Sequence, residues 1–309
     1  MASPPSVPSI DSMRDIFDTE SNTVDYLMEH HALTVPTLCP REYADDEVCG
    51  GPITLRTQPF GNWKMYRCTR TCCRQATSIL TGTFFENAKV PLNKVMQLAL
   101  LWLSKVVHGS AMILSGLSDK TVTYWYNRLD DLVNWDFVTD PEDNRIGGPG
   151  IVVQIDESKM GKRKYNRGHR VEGVWVVGGV EETTQRKMFA ISVGARNRDT
   201  LSEVIKNHVL DGSILITDCW KGYSDEDLAE LGIAHNTVNH SIEFVSAEGW
   251  HTNSIEGTWT GIKKNVPKTS FRPGLVDTKL LVYIWRRKYN QHLWSRLMYA
   301  MAQLQVLAE

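Results

Sequence analysis

Apolar positions along the 309-residue chain change period several times, and each change marks a new element. The runs VVQI (152–155) and ILIT (214–217) are β-branched and apolar, as buried strands are. From Ile151 the order is strand (IVVQID), basic hairpin, strand (VEGVWVVGGVE), strand (KMFAISVGA), helix (TLSEVIKNHVL), strand (SILITD), a helical stretch (DEDLAELG), short strand (HNTVNH) and helices from Ser254 onward. Three successive strands followed by alternation predict an α/β domain over 151–290, a mixed sheet flanked by helices. Upstream, a Pro/Ser-rich start with the composition of disorder runs into MRDIFDTESNTVDYLMEHHAL, spaced for one or two short helices, and makes residues 1–36 a leader. Residues 37–90 hold PITLRTQPFGNWKMYR, which alternates like a β-hairpin. Residues 91–140 are helical, beginning PLNKVMQLALLWLSKVV and continuing after HGSAMILSG into LSDKTVTYWYNRLDDLV. The loop DPEDNRIGGPG (140–150) is a domain boundary rich in Gly, Pro and charge, and 291–309 form a C-terminal helix.

Composition narrows the class. With 42% hydrophobic residues, a chain of this length supports one substantial core and a satellite module. No apolar run approaches the roughly 18 residues of a membrane span. The start MASPPSVPSIDSMRD lacks the basic-then-apolar order of a signal peptide, so an intracellular protein without a membrane partner is expected. Of the 6 cysteines, Cys219 stands alone and the others lie between Cys39 and Cys73, a clustering that favours metal over disulfides. Two knuckles around the hairpin resemble a zinc ribbon, in which thiolates staple a piece too small to build its own core. Cys39, Cys49 and Cys68 are the structural Zn²⁺ ligands, with Cys73 or its neighbour Cys72 as the fourth. The first knuckle, Cys39 to Cys49, is wider than the usual two to four residues.

Three acids sit where strands end or a helix begins: Asp156 in VVQIDES, Asp218 in ILITDCWKGY and Glu256 in HTNSIEGTWTGIKK. Phosphodiester chemistry needs an activated oxygen nucleophile and compensation for charge on the leaving oxygen, and two Mg²⁺ ions about 3.5–4 Å apart supply both. Mg²⁺ takes hard oxygen ligands and keeps several waters, so a few carboxylates suffice. In that arrangement Asp156 bridges the two ions, and Asp218 and Glu256 each hold mainly one. The 37 residues from 219 to 255 are enough for a short α/β connection before a helix that returns Glu256 to the sheet.

In combination and in this order, IDES, KRKYNRG, TDCWKGY and HTNSIEGTW resemble the motifs of DDE transposases. More narrowly, they resemble the Merlin superfamily of DNA transposases and its bacterial insertion-sequence relatives, from about Leu38 to Tyr289. The resemblance implies an RNase H-like catalytic domain preceded by a zinc ribbon and a helix-turn-helix module. It makes Asp156, Asp218 and Glu256 the catalytic triad on Mg²⁺ or Mn²⁺. It implies cut-and-paste activity on transposon terminal repeats and target DNA, and a homodimer or larger synaptic assembly, nuclear if the source is eukaryotic. A host-recruited DNA-binding regulator without catalysis, and a nuclease that cuts without joining, are the alternatives.

A net charge of −2 means that DNA must be met by local patches. The densest is Lys162, Arg163, Lys164 and Arg167, flanked by Lys159 and Arg170. Small and polar residues around Gly116 and Ser118 make the turn of a helix-turn-helix, with Ser118 as cap and Lys120, Thr123, Tyr124 and Asn127 facing outward. Asn253 reads as a cap or DNA contact, and Lys263, seven residues beyond Glu256 on one helix face, as a phosphate contact. Glu157 points away from Asp156 if the strand persists, and Trp175, Trp220, Trp259 and Trp285 read as core aromatics.

Overall fold

A computed structural model describes residues 7–43, 47–57, 64–139, 144–161, 173–218, 222–238 and 251–306. The chain divides into two compact units, Met1–Leu132 with Tyr289–Glu309, and Val133–Lys288.

In the first unit the leader forms two helices, α1 (Ile10–Asp18) and α2 (Glu20–Glu29), split at Thr19. Ser9 Oγ accepts from Ser12 N and Thr19 Oγ1 from Asn22 N, each at 3.1 Å, so each helix start has its own cap. An antiparallel sheet follows, with β1 (Ile53–Thr57), β2 (Lys64–Cys68) and β3 (Ala76–Ser78) in that order. Three helices come next: α3 (Leu92–Leu103), α4 (His108–Ser115) and α5 (Asp119–Val138), the last crossing into the second unit. Buried Glu20 accepts from Leu92 N at 3.0 Å at the start of α3, and burial raises its carboxyl. The C-terminal helix is α10 (Leu293–Val306). HGSAMILSG is itself the helix α4; it ends at Gly116, whose φ of 69° is the left-handed cap that glycine adopts freely. Ser118 Oγ then accepts from Thr121 N at 3.4 Å, starting α5 after a three-residue turn.

The second unit is built on one mixed sheet. In chain order it contains β4 (Ile146–Gly147), β5 (Val152–Met160), β6 (Val174–Glu181), β7 (Met188–Val193), α6 (Arg198–His208), β8 (Val209–Leu210), β9 (Ile214–Asp218), α7 (Asp225–Glu230), β10 (Ala234–Val238), α8 (Asn253–Asn265) and α9 (Val276–Lys288). The five-stranded order is β10-β9-β5-β6-β7, parallel from β10 to β5 and antiparallel from β5 to β7. β4 and β8 pair separately, in parallel. Alternation decides what each face carries. On one face Val153, Ile155, Val177 and Leu215 join Leu201 and Ile205 of α6 and Leu228 of α7 in the core. Each such side chain contributes about 1.5–3 kcal/mol by leaving water. The other face takes Gln154 and Asp156, and α8 packs there against β5 and β6 and α9 against β7. No described helix is long and apolar enough to cross a membrane.

Candidate active site and thiol cluster

Asp156 and Asp218 lie on adjacent strands. The parallel register of β5 and β9 pairs Gln154 with Ile216, and two residues further along each strand stand the two acids. Asp156 is half-buried, and its Oδ1 accepts from Glu157 N at 2.7 Å while Oδ2 accepts from the Trp259 indole at 2.9 Å. Burial is the main cause that raises its carboxyl above the usual range, and the charges of Asp218 and Glu256 raise it further; the two hydrogen bonds act the other way. Trp259 is the contribution that sequence reasoning missed. As expected it is buried, 5% exposed, yet its polar edge is spent on Asp156. Its ring can approach the sheet this closely because Gly178, the β6 partner of Asp156, has no side chain.

Glu256 comes from the first turns of α8 and is exposed, one turn ahead of Trp259. Thr252 Oγ1 lies 3.4 Å from its Oε1. Among the described residues the three carboxylates share an electrostatic neighbourhood but are not drawn to within 4.8 Å of one another, as four thiols elsewhere in the chain are. Glu157 turns to the opposite face. Its side chain is 4% exposed, accepts from the Tyr223 hydroxyl and sits 3.4 Å from Arg196, and burial raises its carboxyl. Arg196 in turn lies 3.6 Å over the Trp175 ring.

The four thiols are Cys39, Cys49, Cys68 and Cys73, whose sulfur atoms all lie within 4.8 Å of one another. Cys39 and Cys73 are 3.8 Å apart and Cys49 and Cys68 3.7 Å. A disulfide holds its sulfurs at about 2.05 Å. Tetrahedral ligands about 2.3 Å from zinc are instead separated by about 3.8 Å. The donor set therefore fits Zn²⁺. The wide first knuckle closes because 39–49 fold back as an antiparallel pair, with Cys49 N donating to Arg41 O at 2.7 Å and Cys39 N to Gly51 O at 2.8 Å. Burial pushes the Cys39 thiol up to about 12, whereas the Gln75 backbone N–H draws Cys73 down to about 6. Cys72 is exposed and outside the cluster.

The proposed DNA contacts divide. Lys120, Thr123, Tyr124 and Asn127 are exposed on α5, and Asn253 and Lys263 are exposed on α8. Lys162, Arg163, Lys164 and Arg167 lie outside the described residues, as do Cys219 and Trp220.

A mixed sheet flanked by helices, with Asp156 and Asp218 side by side and Glu256 brought in on a helix, fits an RNase H-like transposase domain. Residues 146–270 match the family model of the ISXO2-like transposase domain, one of the DDE transposase models. No curated protein matches the chain. Among solved structures, a chain of the simian T-cell lymphotropic virus intasome in complex with PP2A regulatory subunit B56 gamma is 18% identical, with a TM-score of 0.31. That match covers 61% of this chain and 64% of the other, just under two thirds of its length.

Proposed function

We propose that the chain is a cut-and-paste DNA transposase of the Merlin type, in which Asp156, Asp218 and Glu256 hold two Mg²⁺ or Mn²⁺ ions. The observation that carries this reading is the setting of Asp156: its carboxyl is fixed by Trp259, lies on the strand next to that of Asp218, and is raised in part by the charges of Asp218 and Glu256. Three carboxylates, two of whose charges raise the third, are a donor set of the hard-oxygen kind that these cations take. When bound, the ions supply an activated oxygen nucleophile and compensation at the leaving oxygen. The chain's own part is placement. Trp259 orients Asp156, exposed Glu256 reaches in from α8, and Lys263 on the same helix receives a backbone phosphate. Water cleaves the phosphodiester at the transposon end, and the liberated 3′-hydroxyl displaces a phosphodiester of the target.

In the first unit, Cys39, Cys49, Cys68 and Cys73 hold a structural Zn²⁺. The α4–α5 turn presents Lys120 and Asn127 to the terminal repeats, and Lys162, Arg163, Lys164, Arg167 and Asn253 contact DNA. Two ends are brought together by a homodimer or larger assembly.

Duplexes built from the sequences flanking the gene test the reading. The natural chain is expected to cut them in Mn²⁺ and join the 3′-ends to a plasmid. Asp156→Ala, Asp218→Ala and Glu256→Ala should each abolish both steps while leaving binding in place. Near-native cleavage by Asp218→Ala, or equal activity in EDTA, would end the proposal, and cutting without joined products would make the chain a nuclease.

A further inference from the structure

Gln154 is fully buried, 0% exposed, on the same face of β5 as Asp156. Its Oε1 accepts from Ser254 N at 2.9 Å and Ile255 N at 3.0 Å, the second and third residues of α8. Helix-start amides have no partner within the helix and are ordinarily met by a local Ser, Thr, Asp or Asn. Here the local residue Thr252 makes no side-chain cap bond, and a strand residue a hundred positions earlier does the capping. The orientation of the amide is fixed from behind, because its Nε2 donates to Glu182 Oε1 and lies 3.1 Å from His251 Nδ1. The Glu182 carboxylate behind, which can only accept, and two backbone donors ahead leave Gln154 one way to face.

The consequence is a two-point clamp. Gln154 grips α8 at Ser254 and Ile255, and Asp156 grips it at Trp259. Two residues of strand advance about 6.6 Å. The four residues of helix from Ile255 to Trp259 advance about 6 Å. On a helix running along the strand these spacings match, and in sequence Glu256 lies between the two gripped positions. We propose that Gln154 is a positioning residue for the divalent-ion site: it sets the register of α8 on β5, and with it the reach of Glu256 toward Asp156 and Asp218. This rests on the reading of the three acids as metal ligands.

The test uses the full chain and Mn²⁺ alone, with bound ion followed by loss of the free Mn²⁺ spin-resonance signal at a temperature well below the thermal midpoint. Gln154→Asn withdraws the oxygen by one methylene and is expected to weaken Mn²⁺ binding about tenfold or more, as loss of an outer-shell partner does, with zinc content unchanged. Gln154→Glu combined with Glu182→Gln keeps an acceptor at the native reach and reverses donor and acceptor in the pair behind it, and should recover most of that loss. Ser254→Pro removes one of the two donors at a helix position that tolerates proline, so it should weaken binding in the same direction even if Gln154→Asn does not fold. Native Mn²⁺ affinity in Gln154→Asn and Ser254→Pro, or equal losses in Gln154→Asn and the double variant Gln154→Glu with Glu182→Gln, would overturn the proposal. Glu256→Gln separates the two levels: if it too binds Mn²⁺ as the natural chain does, the metal-site reading itself falls.

Discussion

The ring of Trp259 occupies the space into which a side chain on Gly178 would grow: a β-carbon there would lie 2.6 Å from Cη2. On the opposite face of β6, a β-carbon on Gly179 would lie 2.4 Å from Phe189 Cε1. Gly178→Ala and Gly179→Ala are therefore both expected to destabilise by overpacking, by about 1–3 kcal/mol. Only the first displaces the indole from Asp156. Because the indole hydrogen bond lowers the Asp156 carboxyl, its loss should raise that carboxyl further in Gly178→Ala and leave it unmoved in Gly179→Ala. Carbon-detected NMR titration of Asp156 reads the difference, and identical titrations in the two variants would detach Gly178 from the site.

The thiol cluster makes a separable prediction. The natural chain should carry about one Zn²⁺ and lose the structure of its first unit to chelators, since ligation of this kind supplies folding free energy. Cys39→Ser, Cys49→Ser, Cys68→Ser and Cys73→Ser should each lose the metal, whereas Cys72→Ser keeps it because Cys72 stands outside the cluster. Protons compete with metal for thiolates, so zinc should be released as pH falls. Metal analysis across the five variants decides the ligand set, and a zinc-free natural chain that is reduced and folded contradicts it.

A pH dependence follows from Asp156 and Glu157, whose carboxyls are both held above the usual range chiefly by burial. In that window the folded chain keeps protons that the unfolded chain has released. Their contribution to stability is thus fully present below the ordinary carboxylate range, near pH 4, and is lost as pH rises through the raised values. Metal-free protein should show this as a declining thermal midpoint, and Mn²⁺ should offset the decline at the upper end by binding the native state. Glu256→Gln removes one of the charges that raise Asp156 and should flatten the decline. Superimposable pH profiles for that variant and the natural chain would show that the charge of Glu256 does not reach Asp156.

What the sequence disclosed and what it hid have physical causes. The pairing of Asp156 with Asp218 was legible because VVQI and ILIT are β-branched runs, and such runs become neighbouring buried strands. The thiol cluster was legible from clustering, although the spacing of Cys39 and Cys49 was not: a two-sided backbone pairing brings the distant ends together. Helix α4 was hidden because Gly109 and Ser110 dilute its apolar period, while the Gly116 and Ser118 signals at its end were clear. Trp259 and Gln154 were hidden for a different reason. A tryptophan on an amphipathic helix and a polar residue inside a strand have ordinary local explanations, and their work is done on partners 103 and about 100 residues away. Helix periodicity reports which face is buried and says nothing of which polar atom that face meets.

With a net charge of −2, affinity for DNA has to come from a few local contacts. Each phosphate neutralised on duplex contributes a slope near −0.9 in log K against log salt, so replacing Lys162, Arg163 and Lys164 by Ala should flatten the dependence by roughly two to three units if all three meet the backbone. Preference for the transposon ends should survive, because phosphate contacts position the protein while base contacts specify. Lys120→Ala and Asn127→Ala, exposed on α5 behind the Gly116–Ser118 turn, should do the reverse. Loss of one base contact there is expected to cost about 1–3 kcal/mol of discrimination, and a side chain that meets only a base edge leaves the salt slope as it was. Fluorescence anisotropy at several salt concentrations, on end-containing and scrambled duplexes, separates the two behaviours. An unchanged slope in the triple variant would move the phosphate path away from that hairpin, and unchanged discrimination in both α5 variants would leave α4 and α5 as a helical connector that reads no sequence.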